Sequence, residues 1–225
     1  MSRLFARLPG ALLVIGGALG AVVPVVHPAH GAGYYTHQLT APSHLLLLVA
    51  VLLVSLGLPG LVARQPDAVR PLAALGAAGV FVGEWLLDGT HGIVDGAVMP
   101  ALAHGAHGGT ASPHALAAII DAGPLGMLTG IGVPVMIVGC LVLGVALWRS
   151  AADTRIPRSA AVLLACCWML FPLRFVLPAV AGVDVMLPYV ALGIVGAALL
   201  RDGTRARTPA SAPDARRVAT GVAAA

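Results

Sequence analysis

One apolar stretch of the chain carries four ionisable residues at helical spacing. At successive intervals of four, three and four residues it contains Glu84, Asp88, His91 and Asp95. Residues three or four apart lie on one face of an α-helix, so these side chains form a stripe about three turns long. An ionised side chain at the bilayer centre costs about 2.5–3.5 kcal/mol, and such residues therefore face a bundle interior or a wet cavity. The stripe predicts a polar cavity inside a helical membrane protein.

Two further histidines are predicted to lie at the outer end of the stripe. His27 ends the first predicted span and His44 opens the second, while the third span reaches the same surface near His91 and Asp95. Imidazole and carboxylate together suit Zn²⁺ or Cu²⁺. One hypothesis is therefore an outward-facing metal site whose ligands are His91, Asp95, His44 and His27. The same groups also suit a cavity that couples protons.

The other histidines lie in predicted loop segments, and those at 104 and 107 are surrounded by glycine and alanine. They are His30, His37, His104, His107 and His114. The His-x-x-His spacing at 104–107 fits a pair of metal ligands, but solvated loop histidines explain it equally well.

A single arginine lies inside a predicted span. Arg174 falls in the outer half of the fifth span, at a depth similar to that of Glu84 and Asp88. An Arg–carboxylate pair across the bundle would let both charges stay in the membrane. We therefore predict an intramembrane charge network of Glu84, Asp88 and Arg174, with a purely structural role as the alternative.

The composition is that of a membrane protein. Hydrophobic residues make up 59% of the chain and charged residues only 10%, with a mean hydropathy of +0.95. Soluble domains carry about 25% charged residues, so lipid is the solvent that accommodates this chain. The net charge of +4 comes from arginines clustered beside apolar runs, which argues against nucleic-acid binding.

Six apolar stretches are long enough to span a bilayer, which takes about 20 residues. We predict an all-α bundle in one domain over residues 1–200, followed by a disordered cytoplasmic tail over 201–225. The predicted spans cover 8–26, 44–63, 71–98, 116–148, 159–180 and 183–200. The fourth is long, and Pro124 and Pro134 predict an interfacial start and a kink.

The arginines give the predicted bundle a direction. Twelve of the thirteen lie before the first span, after the sixth, or between spans two and three or four and five. The positive-inside rule then places both termini in the cytoplasm of a bacterium and all eight histidines outside the inner membrane. Alternatively, residues 1–31 could be a cleaved signal peptide, which would leave the rest of the topology unchanged.

The second span, from His44 to Leu61, resembles that of a group of bacterial, actinobacterial-type integral membrane proteins of unassigned activity. Members of that group have six spans, a histidine at the end of the first, and another at the start of the second. They also have an acidic residue shortly before Pro-Ala-Leu at the end of the third. The matching residues here are His27, His44 and Asp95, the last of which precedes Pro100-Ala101-Leu102. The resemblance implies the six-span fold and no particular reaction, and the histidine-rich segment 104–114 departs from the group's pattern.

No hydrolase, zincin, P-loop or dinucleotide fingerprint is present in the sequence. The leading interpretation is a membrane protein, with no enzymatic activity assigned, whose outer half holds a His/Asp/Glu cavity for a transition metal or for protons. One alternative is an accessory subunit that joins a membrane-protein partner, or a second copy of itself, through apolar faces. Another is a metal-dependent membrane hydrolase.

Overall fold

The computed structural model describes residues 3–29, 34–105, 118, 123–177 and 182–204, and every regular element in these ranges is helical. The prediction of an all-α protein is confirmed for them. The α-helices are α1 (Arg3–Val26), α2 (Thr40–Ala63), α3 (Arg70–Glu84), α4 (Thr90–Ile93), α5 (Met99–Gly105), α6 (Pro124–Thr154), α7 (Arg158–Cys167) and α8 (Val183–Thr204).

Five helical segments have the length and apolarity needed to cross a membrane. They cover Ala6–Val26, Thr40–Ala63, Arg70–Ala103, Leu125–Thr154 and Val183–Arg201. Each overlaps a predicted span, so these helices suit an integral membrane protein. Only residue 118 of the expected interfacial start at 116–122 is described. The loop histidines at 30, 107 and 114 lie outside the described segments, as does the predicted tail beyond Thr204.

The fifth predicted span, 159–180, differs from expectation. Its apolar helix covers only Arg158–Leu170 and is too short to count as a spanning helix by itself. A 3₁₀ turn at Trp168–Leu170 follows α7, and a second covers Pro172–Phe175. Pro172 has no N–H to donate and its ring crowds the preceding turn, which favours a break in the α-helix at this point. Six continuous spans are therefore not confirmed.

The helix ends that carry arginines come together at one end of the bundle. The helix α1 packs against both α8 and α2, while α3 packs against α6 and α6 against α7. Arg64, just after α2, donates hydrogen bonds to the carbonyl of Leu199 in α8, at 2.8 Å, and to the carbonyl of Ala6 in α1. One guanidinium thus joins three helices, because it satisfies carbonyls at two helix ends at once.

The third spanning segment contains two π-helical turns. These cover Trp85–Gly89 and Val94–Val98, so the stripe of ionisable residues does not follow ideal α-helical geometry. Such turns insert an i→i+5 step and often occur at functional sites. The turns are accompanied by close contact with α2: a Cβ at Gly92 would lie 2.9 Å from Leu48 Cβ, and one at Gly96 would lie 3.0 Å from His44 Cβ. Glycine at both positions therefore lets α2 approach closely enough to place His44 beside the stripe.

Candidate functional site: a polar cavity opposite the arginines

A cavity of about 620 Å³ lies at the end of the bundle away from the arginine-bearing helix ends. Its wall combines apolar side chains with ionisable ones from the end of α1, the start of α2 and the third spanning segment. The ionisable residues that line it are His27, His44, Asp88, His91, Asp95 and Arg174. The sequence-predicted metal ligands and two members of the predicted charge network therefore share one cavity.

A cluster at the mouth of the cavity is formed by Tyr34, His27, His44 and Asp95, and we call it the mouth cluster. The Tyr34 hydroxyl lies 2.9 Å from His27 Nε2 and 3.4 Å from His44 Nε2. The two imidazole Nε2 atoms are 3.4 Å apart, and His44 Nε2 is 3.7 Å from Asp95 Oδ2. The sequence predicted that three of these residues converge, whereas Tyr34 was not anticipated.

The hydrogen atoms in the mouth cluster can be placed from its contacts. His44 Nδ1 lies 2.9 Å from the carbonyl oxygen of Thr40, which can only accept, so Nδ1 carries a proton. Burial, and then the charge of Asp95, raise the pKa of Tyr34, so its hydroxyl is a donor. A proton added at His44 Nε2 would be held between Asp95 and His27, which gives the cluster a place to accept one from solution.

A second cluster, which we call the carboxyl pair, lies deeper and is formed by Glu84 and Asp88 with Tyr189 of α8. The Tyr189 hydroxyl is 2.6 Å from Glu84 Oε2 and 2.9 Å from Asp88 Oδ2. Glu84 and Tyr189 are both 0% exposed, and Asp88, which lines the cavity, is 9% exposed, so the pair is largely shielded from bulk water. Two carboxyl groups therefore share one phenol inside the apolar part of the bundle.

The carboxyl pair needs a proton of its own. A phenol has one hydrogen, so Tyr189 can make a full hydrogen bond to only one of the two carboxyl oxygens. The contact of the phenol oxygen with the second carboxyl group is favourable when this second group is protonated and donates to the phenol oxygen. Two ionised carboxylates so close together in a buried site would repel each other strongly. The geometry thus fits a pair in which at least one of the two carboxyl groups is protonated.

His91 lies between the two clusters along the third spanning segment. Its Nδ1 donates to the carbonyl of Leu87 at 2.9 Å, which leaves Nε2 as the acceptor of the neutral ring. His91 lines the cavity together with Asp88 and is close enough to that carboxyl for an electrostatic interaction. It therefore shares the cavity wall with residues of both clusters.

Arg174 forms its ion pair with a residue other than the predicted ones. Arg174 Nη1 is 3.2 Å from Asp184 Oδ2, whereas Glu84 and Asp88 contact Tyr189. This approach is an ion-pair contact and lacks hydrogen-bond geometry, since Asp184 Oδ2 has no hydrogen-bond partner among the described residues. The other oxygen, Oδ1, accepts from the backbone N–H groups of Gly182 and Val185 at the start of α8. The ion pair of Arg174 is therefore with Asp184, and Arg174 acts on Asp88 at longer range, so the predicted network of Glu84, Asp88 and Arg174 stays a prediction.

The metal hypothesis gains no support from the geometry. Among the residues that the structure describes, no three His, Cys, Asp or Glu side chains are arranged so that they could hold an ion. His27, His44 and Asp95 do converge, but the nearest imidazole–carboxylate approach is 3.7 Å and a tyrosine lies among them. The Tyr34–His27 contact of 2.9 Å is a hydrogen bond and the other approaches are looser polar contacts, so the Zn²⁺ or Cu²⁺ site stays a prediction.

Five apolar helices of spanning length around a cavity with buried carboxyl groups define the general class: a polytopic helical membrane protein with a polar interior. No family model, curated protein or solved structure matches the chain. Its function must therefore be inferred from the chemistry of the cavity.

Proposed function

We propose that this is a proton-coupled membrane protein whose cavity carries protons between one membrane face and the Glu84–Asp88 carboxyl pair. The observation that supports the proposal most directly is the shared hydroxyl of Tyr189, because it accounts for a single proton on two buried carboxyl groups. Buried ionisable residues that face a cavity within a membrane are typical of proton relays.

The route for the proton follows the wall of the cavity. Its entrance is the mouth cluster, where His44 and Asp95 can share an added proton. His91 and Asp88 come next, and Glu84 at the inner end is fully buried. We infer that neutral imidazoles relay the proton, because histidine is the side chain whose ordinary pKa lies nearest to neutrality.

Infrared difference spectroscopy tests whether the carboxyl pair holds a proton. Purified protein near neutral pH should show the C=O stretching band of a protonated carboxyl, and this band should shift in D₂O. Glu84→Gln and Asp88→Asn should each alter or abolish the band, whereas Asp153→Asn, at an exposed position of α6, should leave it unchanged. A wild-type spectrum without a protonated carboxyl would refute the shared proton and the proposed function with it.

We further propose six crossings, with the mouth cluster on the outer side of a bacterial cytoplasmic membrane. The helix α6 ends at the arginine end of the bundle and α8 begins at the cavity end, so the segment from Arg158 to Leu177 must return the chain between them. A sixth crossing made of α7 and the 3₁₀ turns would do this. It also puts the arginine-bearing ends on the cytoplasmic side, as the positive-inside rule requires.

Cysteine labelling in intact cells tests this orientation. In a background without Cys140, Cys166 and Cys167, Thr36→Cys should react with an impermeant thiol reagent added from outside. Asp67→Cys, whose side chain is 90% exposed between α2 and α3, should react only after the membrane is opened. Labelling of position 67 from outside would reverse the orientation and place the mouth cluster in the cytoplasm.

A further inference from the structure

The charge balance of the cavity favours a cationic ligand. Asp88 and Asp95 line the cavity, and the only arginine or lysine among its described lining residues is Arg174. Arg174 is already paired with Asp184, which is 0% exposed. With neutral histidines, the carboxyl groups outweigh the cations, so the wall attracts positive charge.

One side of the cavity is aromatic. Trp168 and Phe171 both line it, with ring centroids 5.4 Å apart. The guanidinium carbon of Arg174 lies 5.1 Å from the centroid of Phe171, so this aromatic wall already holds one cation within the protein. Aromatic faces attract organic cations, and tryptophan does so most strongly.

The tryptophan of this wall also has an unused donor. Trp168 is 2% exposed, yet its indole Nε1–H has no hydrogen-bond partner in the described part of the chain. A buried donor without a partner costs about 1–3 kcal/mol. Trp168 lines the cavity but its Nε1 is covered in this structure, so a ligand oxygen would accept from it after a small turn of the ring and remove this cost. A cation that also carries a hydroxyl or carbonyl group therefore fits the wall best.

We propose that the cavity binds a small organic cation carrying an oxygen acceptor, in exchange for the proton held by the Glu84–Asp88 pair. The inference rests on the proposed proton-coupled function and names its substrate class. A volume of about 620 Å³ admits a small organic molecule. When the cation enters, the pair releases one proton to solution and becomes doubly ionised, so the net charge of the cavity is unchanged. The groups that face the pair during this exchange are Tyr189, His91, Arg174, Asp184, Cys140 and Cys167.

Binding of radiolabelled choline to the purified full chain in detergent tests the proposal, since choline joins a quaternary ammonium to a hydroxyl. We expect saturable binding, release of protons detected by an indicator dye in weak buffer, and affinity that rises with pH because the proton competes. Dimethylbutanol, the uncharged isostere of choline, should not compete. Asp88→Asn should weaken choline binding about ten- to hundredfold through the loss of a charged contact, and Asp153→Asn should leave it unchanged.

A second comparison isolates the indole donor. Trp168→Phe keeps an aromatic ring but removes the N–H, so it should weaken binding of choline more than binding of tetramethylammonium, which has no hydroxyl. Trp148→Phe, at a residue that is 47% exposed, is the matched control and should change neither. If Trp168→Phe weakens the binding of choline and of tetramethylammonium equally, the ligand does not need an oxygen acceptor and that part of the proposal is wrong.

The outcomes separate this inference from the proposed function. Equal binding of choline and its uncharged isostere would overturn recognition of a cation, and binding without proton release would overturn the exchange. If the protonated carboxyl band is present but choline does not bind, the ligand is wrong and the proton site stands. Because the pH dependence is measured on the wild type, the test does not depend on whether Asp88→Asn folds.

Discussion

Replacing Arg174 with alanine is expected to lower the free energy of unfolding by about 3–5 kcal/mol, since it strands the fully buried carboxyl group of Asp184, although Arg174 itself is 31% exposed. Asp184 is completely buried and would lose the guanidinium that compensates its carboxylate. Thermal unfolding in detergent should show the loss as a large drop in melting temperature. Arg158→Ala is the matched control, because Arg158 contacts the exposed ring of Trp148 and should cost less than about 1 kcal/mol.

The double variant identifies which carboxylate depends on Arg174. Asp184→Asn removes the charge but keeps the Oδ1 acceptor that bonds to Gly182 and Val185. It should therefore restore most of the stability lost in Arg174→Ala. Glu84→Gln should restore little. Rescue by Glu84→Gln in place of Asp184→Asn would support the network first predicted from the sequence.

Replacing Tyr189 with phenylalanine is also expected to lower the free energy of unfolding substantially. It deletes the one hydroxyl that both carboxyl groups contact and leaves buried oxygens unsatisfied, at about 1–3 kcal/mol each and more if ionised. Tyr35→Phe, at a tyrosine outside the carboxyl pair, measures the general effect of losing a hydroxyl and should cost much less. Chemical or thermal unfolding in detergent provides the comparison.

Coupling within the pair can be measured by a double-mutant cycle. With Glu84→Gln in place, one carboxyl has become a neutral amide that can donate to Asp88, so Tyr189→Phe should cost less than it does in the wild type. Strict additivity of the two substitutions would mean that Tyr189 and Glu84 act independently. In that case the shared-proton description of the pair would fail.

The features that could be predicted from the sequence were those that depend on the spacing of residues along one helix. The four-three-four spacing of the stripe and the positions of His27 and His44 at helix ends were enough to predict one cavity. Arginine clusters likewise predicted which helix ends meet, as the bonds from Arg64 to α1 and α8 illustrate. These signals depend on the period of the α-helix and on where each apolar segment ends, both of which can be read from a sequence.

Other features depended on contacts between distant segments. Tyr189 was missed, although a tyrosine inside an apolar span usually needs a hydrogen-bond partner and so gave a usable signal. Tyr34 was missed because a tyrosine in a loop carries no such signal. Helix depth alone did not point to the ion pair of Arg174 with Asp184, which lies only ten residues further along the chain. The π-helical turns have no clear sequence signature beyond the glycines around them.

The contact between Tyr189 and Glu84 joins residues 105 positions apart, and this separation bears on how the chain is made. Glu84 and Asp88 are synthesised and delivered to the bilayer long before α8 emerges from the ribosome. Until then they have no phenol to share, and each must enter protonated or be shielded by helices already present. Because α8 also packs against α1, its arrival completes the cavity and closes the bundle in the same step. A chain cut short before Tyr189 would therefore leave two acids exposed inside the membrane, a defect that quality-control proteases can recognise.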